Sequence, residues 1–211
     1  MSRPPVRGVT AIVLAGGRSS RFGGPKLIAD LDGATLLDHA LRAVAAVAQS
    51  ILVSGPELPA QPDAAAGSIR LVVDDGAFAG PLAALAGALR ETSTELAIVV
   101  AGDMPGLVPA VLQAMLDRLD TPPGFDAAHL AYPTETHHRQ VVPLALRVTA
   151  ASIAADEAVG VGDRSLFQLI DRLRTVEIPA PEWLPLDPTG RTLFDVDEPA
   201  DLERWQAGEI R

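Results

Sequence analysis

The chain has 211 residues, a formal charge of -10 and no cysteine. The missing thiols exclude disulfides, thiolate metal sites and cysteine nucleophiles, and the acidic balance argues against nucleic acid or an anionic membrane surface as partner. Apolar residues make up 48% of the chain but aromatic ones only 4%, so the expectation is one domain over residues 1–211 with a core of Ala, Val, Leu and Ile.

Residues 1–8 contain no apolar segment and no cleavage signal, and every apolar run is strand-length. A cytoplasmic location without membrane anchorage is expected. Val9–Leu14 is β-branched and apolar and stops at Gly16-Gly17, the pattern of a buried strand. Residues 34–47 place Leu37, Leu41 and Val44 on one face of a helix. Ser50–Ser54 is a second strand and Ile69–Val73 a third, separated by a Pro/Ala/Gly-rich surface loop. Gly80–Arg90 is a helix with Pro81 in its first turn, where a missing N–H costs little. Leu96–Ala101 has no polar residue, as in a central parallel strand covered on both faces. A helix over Val108–Leu119 follows. Further on, strands are predicted at residues 127–132, 141–146 and 175–178, a helix at 165–173, and a brief strand at Leu193–Val196. A last helix opens at Pro199. Alternating strands and helices predict an α/β fold with a mostly parallel central sheet. In such a sheet, ligands sit beyond the carboxyl ends of the strands, where residues 16–26, Ser54, Asp74 and Asp103 all fall.

The segment Gly16–Lys26 holds four of the 18 glycines and three positive charges, Arg18, Arg21 and Lys26. Backbone N–H groups of a Gly-rich turn can point at phosphate oxygens, Arg and Lys can neutralise them, and Ser19 and Ser20 can donate hydrogen bonds. The spacing fits neither a Walker A loop nor a dinucleotide fingerprint. Asp103 ends an apolar strand opposite this loop, with Lys26 the main positive group there. Mg²⁺ ligation and capping of the next helix are the two roles that fit it. Asp195 and Asp197 lie on one side of an extended segment by period-two alternation. Asp197 fits metal ligation or helix capping, and for Asp195 capping is the leading role. Asp74 and Asp75 fit either base and ribose recognition or a turn beside Gly76. The four histidines lack metal-ligand spacing.

The string Leu14-Ala15-Gly16-Gly17-Arg18-Ser19-Ser20-Arg21-Phe22-Gly23-Gly24-Pro25-Lys26 resembles the glycine-rich signature of molybdenum cofactor guanylyltransferases. So do Asp74 followed by Gly80-Pro81-Leu82-Ala83, then Gly102-Asp103-Met104-Pro105, Arg139–Leu144, and Phe194–Leu202. This resemblance implies a Rossmann-like, three-layer α/β/α nucleotidyltransferase fold, with a nucleotide-binding half over about residues 9–120 and an acceptor-binding half over about 121–211. It implies transfer of GMP from GTP to molybdopterin with release of pyrophosphate, Mg²⁺ as cofactor, and a monomer or small homo-oligomer. Leu14, Ala15, Gly16, Gly17, Ser19, Arg21, Lys26, Gly80 and Asp103 would contact the nucleotide. Ser54 would lie near the base and Asp74 at the guanosine. Arg21, Lys26 and Asp103 would carry catalysis, and Asp103 with Asp197 the metal. Arg139, Arg164 and residues 134–140 are acceptor-side candidates.

The chain departs from the family pattern where Asp195 and Asp197 replace asparagines, Glu198 replaces a threonine, and Pro25 stands before Lys26. Pro25 points toward cytidylyltransferase relatives, whereas Gly16-Gly17 points to guanine, because a backbone without Cβ admits a larger base. CTP as substrate, another small-metabolite nucleotidyltransferase, a sugar transferase built on Asp195-Val196-Asp197, and a non-catalytic nucleotide-binding regulator are the alternatives.

Overall fold

The computed structural model describes residues 6–16, 21–55, 68–73, 80–121, 124–132 and 140–209. In chain order the strands are β1 (Val6–Leu14), β2 (Asp30–Leu31), β3 (Ala34–Thr35), β4 (Ser50–Ser54), β5 (Ser68–Val72), β6 (Thr94–Ala101), β7 (Ala127–Leu130), β8 (Leu144–Arg147) and β9 (Thr175–Ile178). The helices are α1 (Leu36–Ala45), α2 (Pro81–Arg90), α3 (Pro109–Asp120), α4 (Val148–Gly160), α5 (Leu166–Ile170), α6 (Ala180–Trp183) and α7 (Pro199–Gln206), with 3-10 turns at Lys26–Ile28 and Arg191–Leu193. No helix among the described residues is long and apolar enough to cross a membrane.

Seven strands form one sheet in the order β5-β4-β1-β6-β8-β7-β9. β8 runs antiparallel to both its neighbours and every other pairing is parallel. The sheet is therefore mostly parallel, and the carboxyl ends of β1, β4, β5, β6, β7 and β9 share one edge. Alternation sorts the core into two layers. Ala11, Val13, Ile98 and Val100 face α1 and α3, while Ile12, Ala97 and Val99 face α2, α4 and α5. β6 is covered on both faces, as its unbroken apolar run implies.

Helix α1 opens on a reciprocal cap. Thr35 Oγ1 accepts from the Asp38 N–H at 3.1 Å, and Asp38 accepts from the Thr35 N–H at 3.1 Å, which satisfies two donors with no intrahelical partner. β2 and β3 form a hairpin turned at Asp32-Gly33, with φ of 55° and 83°. Positive φ at both central residues suits the twist of a tight hairpin, and Asp-Gly is its usual sequence. Neither this hairpin, nor α4, nor α6 is among the elements expected from sequence. The expected strand at Leu193–Val196 is not one: Arg191–Leu193 is a 3-10 turn, and Phe194–Asp197 is extended but joins no sheet. What holds it is the Val196 side chain, fully buried with Leu31 and Leu36, and one backbone bond from the Val196 N–H to the Asp103 carbonyl at 3.0 Å.

Candidate active site

Backbone bonds lace the strand ends into a floor. The Ala15 N–H donates to the Ser54 carbonyl at 2.8 Å, the Gly102 N–H to the Leu14 carbonyl at 3.0 Å, and the Gly55 N–H to the Val72 carbonyl at 3.2 Å. Leu14 and Ala15 are half-buried and Gly16 is exposed. Among the described residues a Cβ on Gly16 would meet no atom within 4 Å, so none of them gives a packing reason for a glycine there. The Ser54 hydroxyl, by contrast, is buried and donates to the Ala84 carbonyl of α2 at 3.1 Å, so its side chain ties β4 to α2. Gly80 precedes α2 with φ of +99°, and a Cβ on it would sit 3.0 Å from the Arg164 carbonyl oxygen. Only glycine combines this φ with that close approach. The same carbonyl accepts from the Leu82 N–H at 3.2 Å, joining the start of α2 to the segment before α5. Gly17, Ser19, Asp74 and Arg139 lie outside the described residues.

The charged groups converge from three distant parts of the sequence. Lys26 opens the 3-10 turn after the basic loop, Asp103 sits in the turn after β6, and Asp197 lies in the extended segment before α7. Lys26 Nζ is 2.6 Å from Asp103 Oδ2 and 3.3 Å from Asp197 Oδ1. Arg21 donates to the other Asp197 oxygen, Oδ2, at 3.2 Å. The Lys26 and Asp103 side chains are 11% and 20% exposed, whereas Arg21 and Asp197 are 72% and 50% exposed. The pair at the bottom of the site is thus mostly desolvated and the upper pair is open to water. Burial by itself would lower the Lys26 pKa, but the charges and hydrogen bonds of Asp103 and Asp197 outweigh it and raise the pKa above its ordinary value.

Asp103 has a second feature. Its Oδ1 atom is buried and, among the described residues, has no hydrogen-bond partner. A carboxylate with one oxygen on an ammonium and the other buried without a donor has an acceptor to offer, and hard cations take such oxygens. Asp103 does not cap α3: the cap position is Val108, whose N–H donates to Thr192 Oγ1 at 3.2 Å. Asp197 does not cap α7 with its side chain either. Asp201 reaches back to accept from the Asp197 N–H at 2.8 Å and the Glu198 N–H at 2.9 Å. That leaves the Asp197 carboxylate to the two cations.

Sequence reasoning gave too little weight to Asp195 and none to Tyr132. The Asp195 residue is exposed, yet partial desolvation of its carboxyl, then the negative charges of Asp103 and Asp197, raise its pKa. Tyr132 follows β7 at the same sheet edge. Its phenol pKa is raised by burial and by the Asp195 charge. The signal for Tyr132 was topological: it is the chain's only tyrosine and stands at a strand's carboxyl end. His39 and His129 have carbonyl partners, those of Leu31 at 2.8 Å and Leu130 at 3.4 Å. Among the described residues no group of three or more His, Asp or Glu is poised to hold a metal, so any ion here would rely on a small protein contribution and on ligand oxygens.

Comparison with known proteins identifies the family. The model of the MobA-like NTP transferase domain matches residues 11–176. The probable molybdenum cofactor guanylyltransferase of Chloroflexus aggregans is 34% identical over 204 residues, covering 94% of this chain and 94% of that protein. The molybdenum cofactor guanylyltransferase of Burkholderia ambifaria is 32% identical over 189 residues, covering 84% and 89%. Among solved structures, molybdopterin-guanine dinucleotide biosynthesis protein A from Archaeoglobus fulgidus aligns with a TM-score of 0.73 at 21% identity, covering 95% of this chain and 100% of that one. The 4-diphosphocytidyl-2C-methyl-D-erythritol synthase of Anaerococcus prevotii aligns with a TM-score of 0.71 at 14% identity, covering 97% and 99%. The two structures share the fold, and the family match with its relatives fixes the membership. The chain therefore belongs to the MobA-like NTP transferase family and is a nucleotidyltransferase.

Proposed function

We propose that this nucleotidyltransferase transfers GMP from GTP to molybdopterin and releases pyrophosphate, with Mg²⁺ held at Asp103. The observation that carries this reading is the divided Asp103 carboxylate, with Oδ2 on the Lys26 ammonium and Oδ1 buried without a donor. Mg²⁺ keeps several waters and takes one or two carboxylates besides phosphate oxygens, so Asp103 is a sufficient protein ligand. The bound ion would draw negative charge from the phosphate oxygens as it develops.

The chain's own groups supply the rest. An oxygen of the acceptor's terminal phosphate forms a bond to the α-phosphorus of the nucleotide, while the bond to the bridging oxygen breaks and pyrophosphate leaves. No protein nucleophile is required, so catalysis is orientation and charge placement. Lys26 holds the Asp103 carboxylate in one orientation and places a fixed positive charge beside the phosphate path. Arg21 does the same from the exposed side. The floor of Leu14, Ala15 and Gly16 sets the depth of the nucleotide, and the described residues leave space over Gly16 for a purine. Arg164 stays a candidate for the acceptor side, and Tyr132 beside Asp195 is a second one.

Pro25 favours CTP as the second reading. It is exposed, directly before Lys26, and has no side-chain hydrogen bond with which to read a base. A thermal-shift panel of GTP, CTP, ATP and a UDP-sugar, each with Mg²⁺, separates the readings. GTP should stabilise the protein most; stabilisation by CTP and not by GTP overturns the guanylyl assignment. Lys26→Ala and Asp103→Ala should abolish pyrophosphate release from GTP and molybdopterin, and wild-type rates in either would remove that residue from the mechanism.

A further inference from the structure

Asp197 has a different set of partners from Asp103. Both its oxygens already face cations, Oδ1 facing Lys26 at 3.3 Å and Oδ2 facing Arg21 at 3.2 Å, whereas Asp103 has one oxygen without a partner among the described residues. Its backbone is fixed on both sides. The Val196 N–H is bonded to the Asp103 carbonyl, with the Val196 side chain buried beneath, and the Asp197 N–H is bonded to the Asp201 carboxylate at the start of α7. A rigid segment more than 170 residues away in sequence thus delivers a carboxylate to the two cations of the phosphate loop.

The charges explain what this arrangement does. Among the described residues two cations, Arg21 and Lys26, face three carboxylates, Asp103, Asp195 and Asp197. A free triphosphate is far more negative than its complex with a divalent cation, so carboxylates placed beside these cations oppose the free form more strongly. Electrostatic attraction and repulsion of a bound polyanion are strong at these distances and only partly screened at the half-exposed positions.

We infer that Asp197 is a positioning residue that occupies Lys26 and Arg21 until a metal-complexed triphosphate displaces it, so that the loop accepts the metal complex and rejects free nucleotide. This rests on the nucleotide reading above and adds to it a selectivity that no single cation of the loop would provide. Arg21, the more exposed partner, is the group handed from Asp197 to phosphate, while Lys26 stays on Asp103.

The test is a binding titration of GTP, in EDTA and in saturating Mg²⁺ at low ionic strength, with wild-type protein and Asp197→Asn. The variant keeps the shape and the backbone bonds, and Asp197→Ser serves as a second one. The wild type should bind GTP with Mg²⁺ and scarcely bind it in EDTA. Asp197→Asn should bind metal-free GTP about tenfold tighter or better than the wild type, with its affinity for the metal complex within about threefold, so that its preference for the complex over free GTP falls. Metal-free affinity equal to or below the wild type's in both variants overturns the inference. So does a raised Mg²⁺ requirement with weaker binding of the complex, which would make Asp197 a metal ligand. A wild type that binds no triphosphate with Mg²⁺ overturns the nucleotide reading and this inference together, whereas failure of the variants alone overturns only the inference.

Discussion

Removal of the Lys26 ammonium should destabilise the folded protein, apart from any effect on turnover. In Lys26→Ala the Asp103 carboxylate, 20% exposed, loses the partner of its Oδ2 while its Oδ1 already lacks one. It is then left with Asp195 and Asp197 as charged neighbours. Breaking a fully buried ion pair costs about 3–5 kcal/mol, and losing an exposed one costs roughly 0–1 kcal/mol. The Lys26–Asp103 pair lies between these limits and nearer the first, so a loss of about 2–3 kcal/mol is expected. For a chain of this size each kcal/mol shifts Tm by roughly 2–4 °C, giving a fall of about 5–10 °C. That leaves most of a typical stability of about 5–15 kcal/mol, so the variant still folds.

The pH dependence has a definite sign. The folded-state pKa of Lys26 is raised above 10.5, so its contribution is complete below the unfolded value and is lost as pH rises through the folded one. The gap between wild type and Lys26→Ala should therefore be constant through neutral pH and close above about pH 10.5. Thermal melts of Lys26→Ala, Lys26→Met and Lys26→Ala/Asp103→Asn measure this. Lys26→Met keeps the stem and should still lose stability, while the double variant should recover most of it. A Tm change of less than about 1 °C in Lys26→Ala, or a double variant no better than the single one, would refute the reasoning.

Three other expectations concern neighbouring groups. Asp195 has a raised pKa, so its burden on the fold is absent below the unfolded carboxylate value, near 3.9, grows as pH rises from there to the folded value, and is complete above it. Asp195→Asn should then raise Tm at pH 7 and lose that advantage near pH 3.5, and melts showing the opposite trend would reject the cause assigned here. A Cβ on Gly106 would lie 2.3 Å from the Arg191 carbonyl oxygen, where backbone must move to admit it. Gly106→Ala should cost about 1–3 kcal/mol and, by shifting residues 191–197, weaken nucleotide binding too; a wild-type denaturation midpoint would contradict the close packing. Gly16→Ala meets no atom of the described residues and should leave Tm unchanged. It should weaken GTP more than CTP in competitive binding, and equal losses for the two nucleotides would free Gly16 from any role in base choice.

The parts of this protein that were legible in its sequence are those with a strong local period or a strong local rule. Ser50–Ser54 and Thr175–Ile178 stand where their apolar and β-branched residues put them, and the unbroken run in β6 marked a strand buried on both faces. Helix α4 escaped because alanine supplies its buried positions 151, 154, 155 and 158 as well as half-buried Ala150, so no contrast between faces marks its period. The β2–β3 hairpin has a local signal in Asp32-Gly33, but its strands are only two residues each, too short to show a period. The segment before α7 reads as a strand because an extended backbone with alternating burial has the same pattern whether or not it joins a sheet. Asp103 was placed at the sheet edge by the rule that strand ends gather ligands. No rule of sequence could show that both oxygens of Asp197 would meet cations 171 and 176 residues away.

That long-range contact also explains why the segment 187–197 is built as it is. Asp187 is 3% exposed and accepts from the Thr192 N–H at 2.7 Å and the Thr189 hydroxyl at 2.8 Å. Burial of this carboxyl opposes its ionisation, but the hydrogen bonds outweigh that and lower its pKa. Thr192 in turn accepts from the Val108 N–H, and Arg191 lies over the Trp205 ring at 4.7 Å. Gly106 and Val108 belong to the same turn region that begins at Asp103, so this segment is fastened at several points to the loop that carries the acid. A chain end that only packed against the core would not need a buried ionised carboxylate, a close glycine contact and a backbone bond to the Asp103 carbonyl within eleven residues. Fixing Asp195 and Asp197 against Asp103 does need them. Like charges that close repel, so the backbone held from both sides acts together with the Lys26 ammonium, which bridges Asp103 and Asp197.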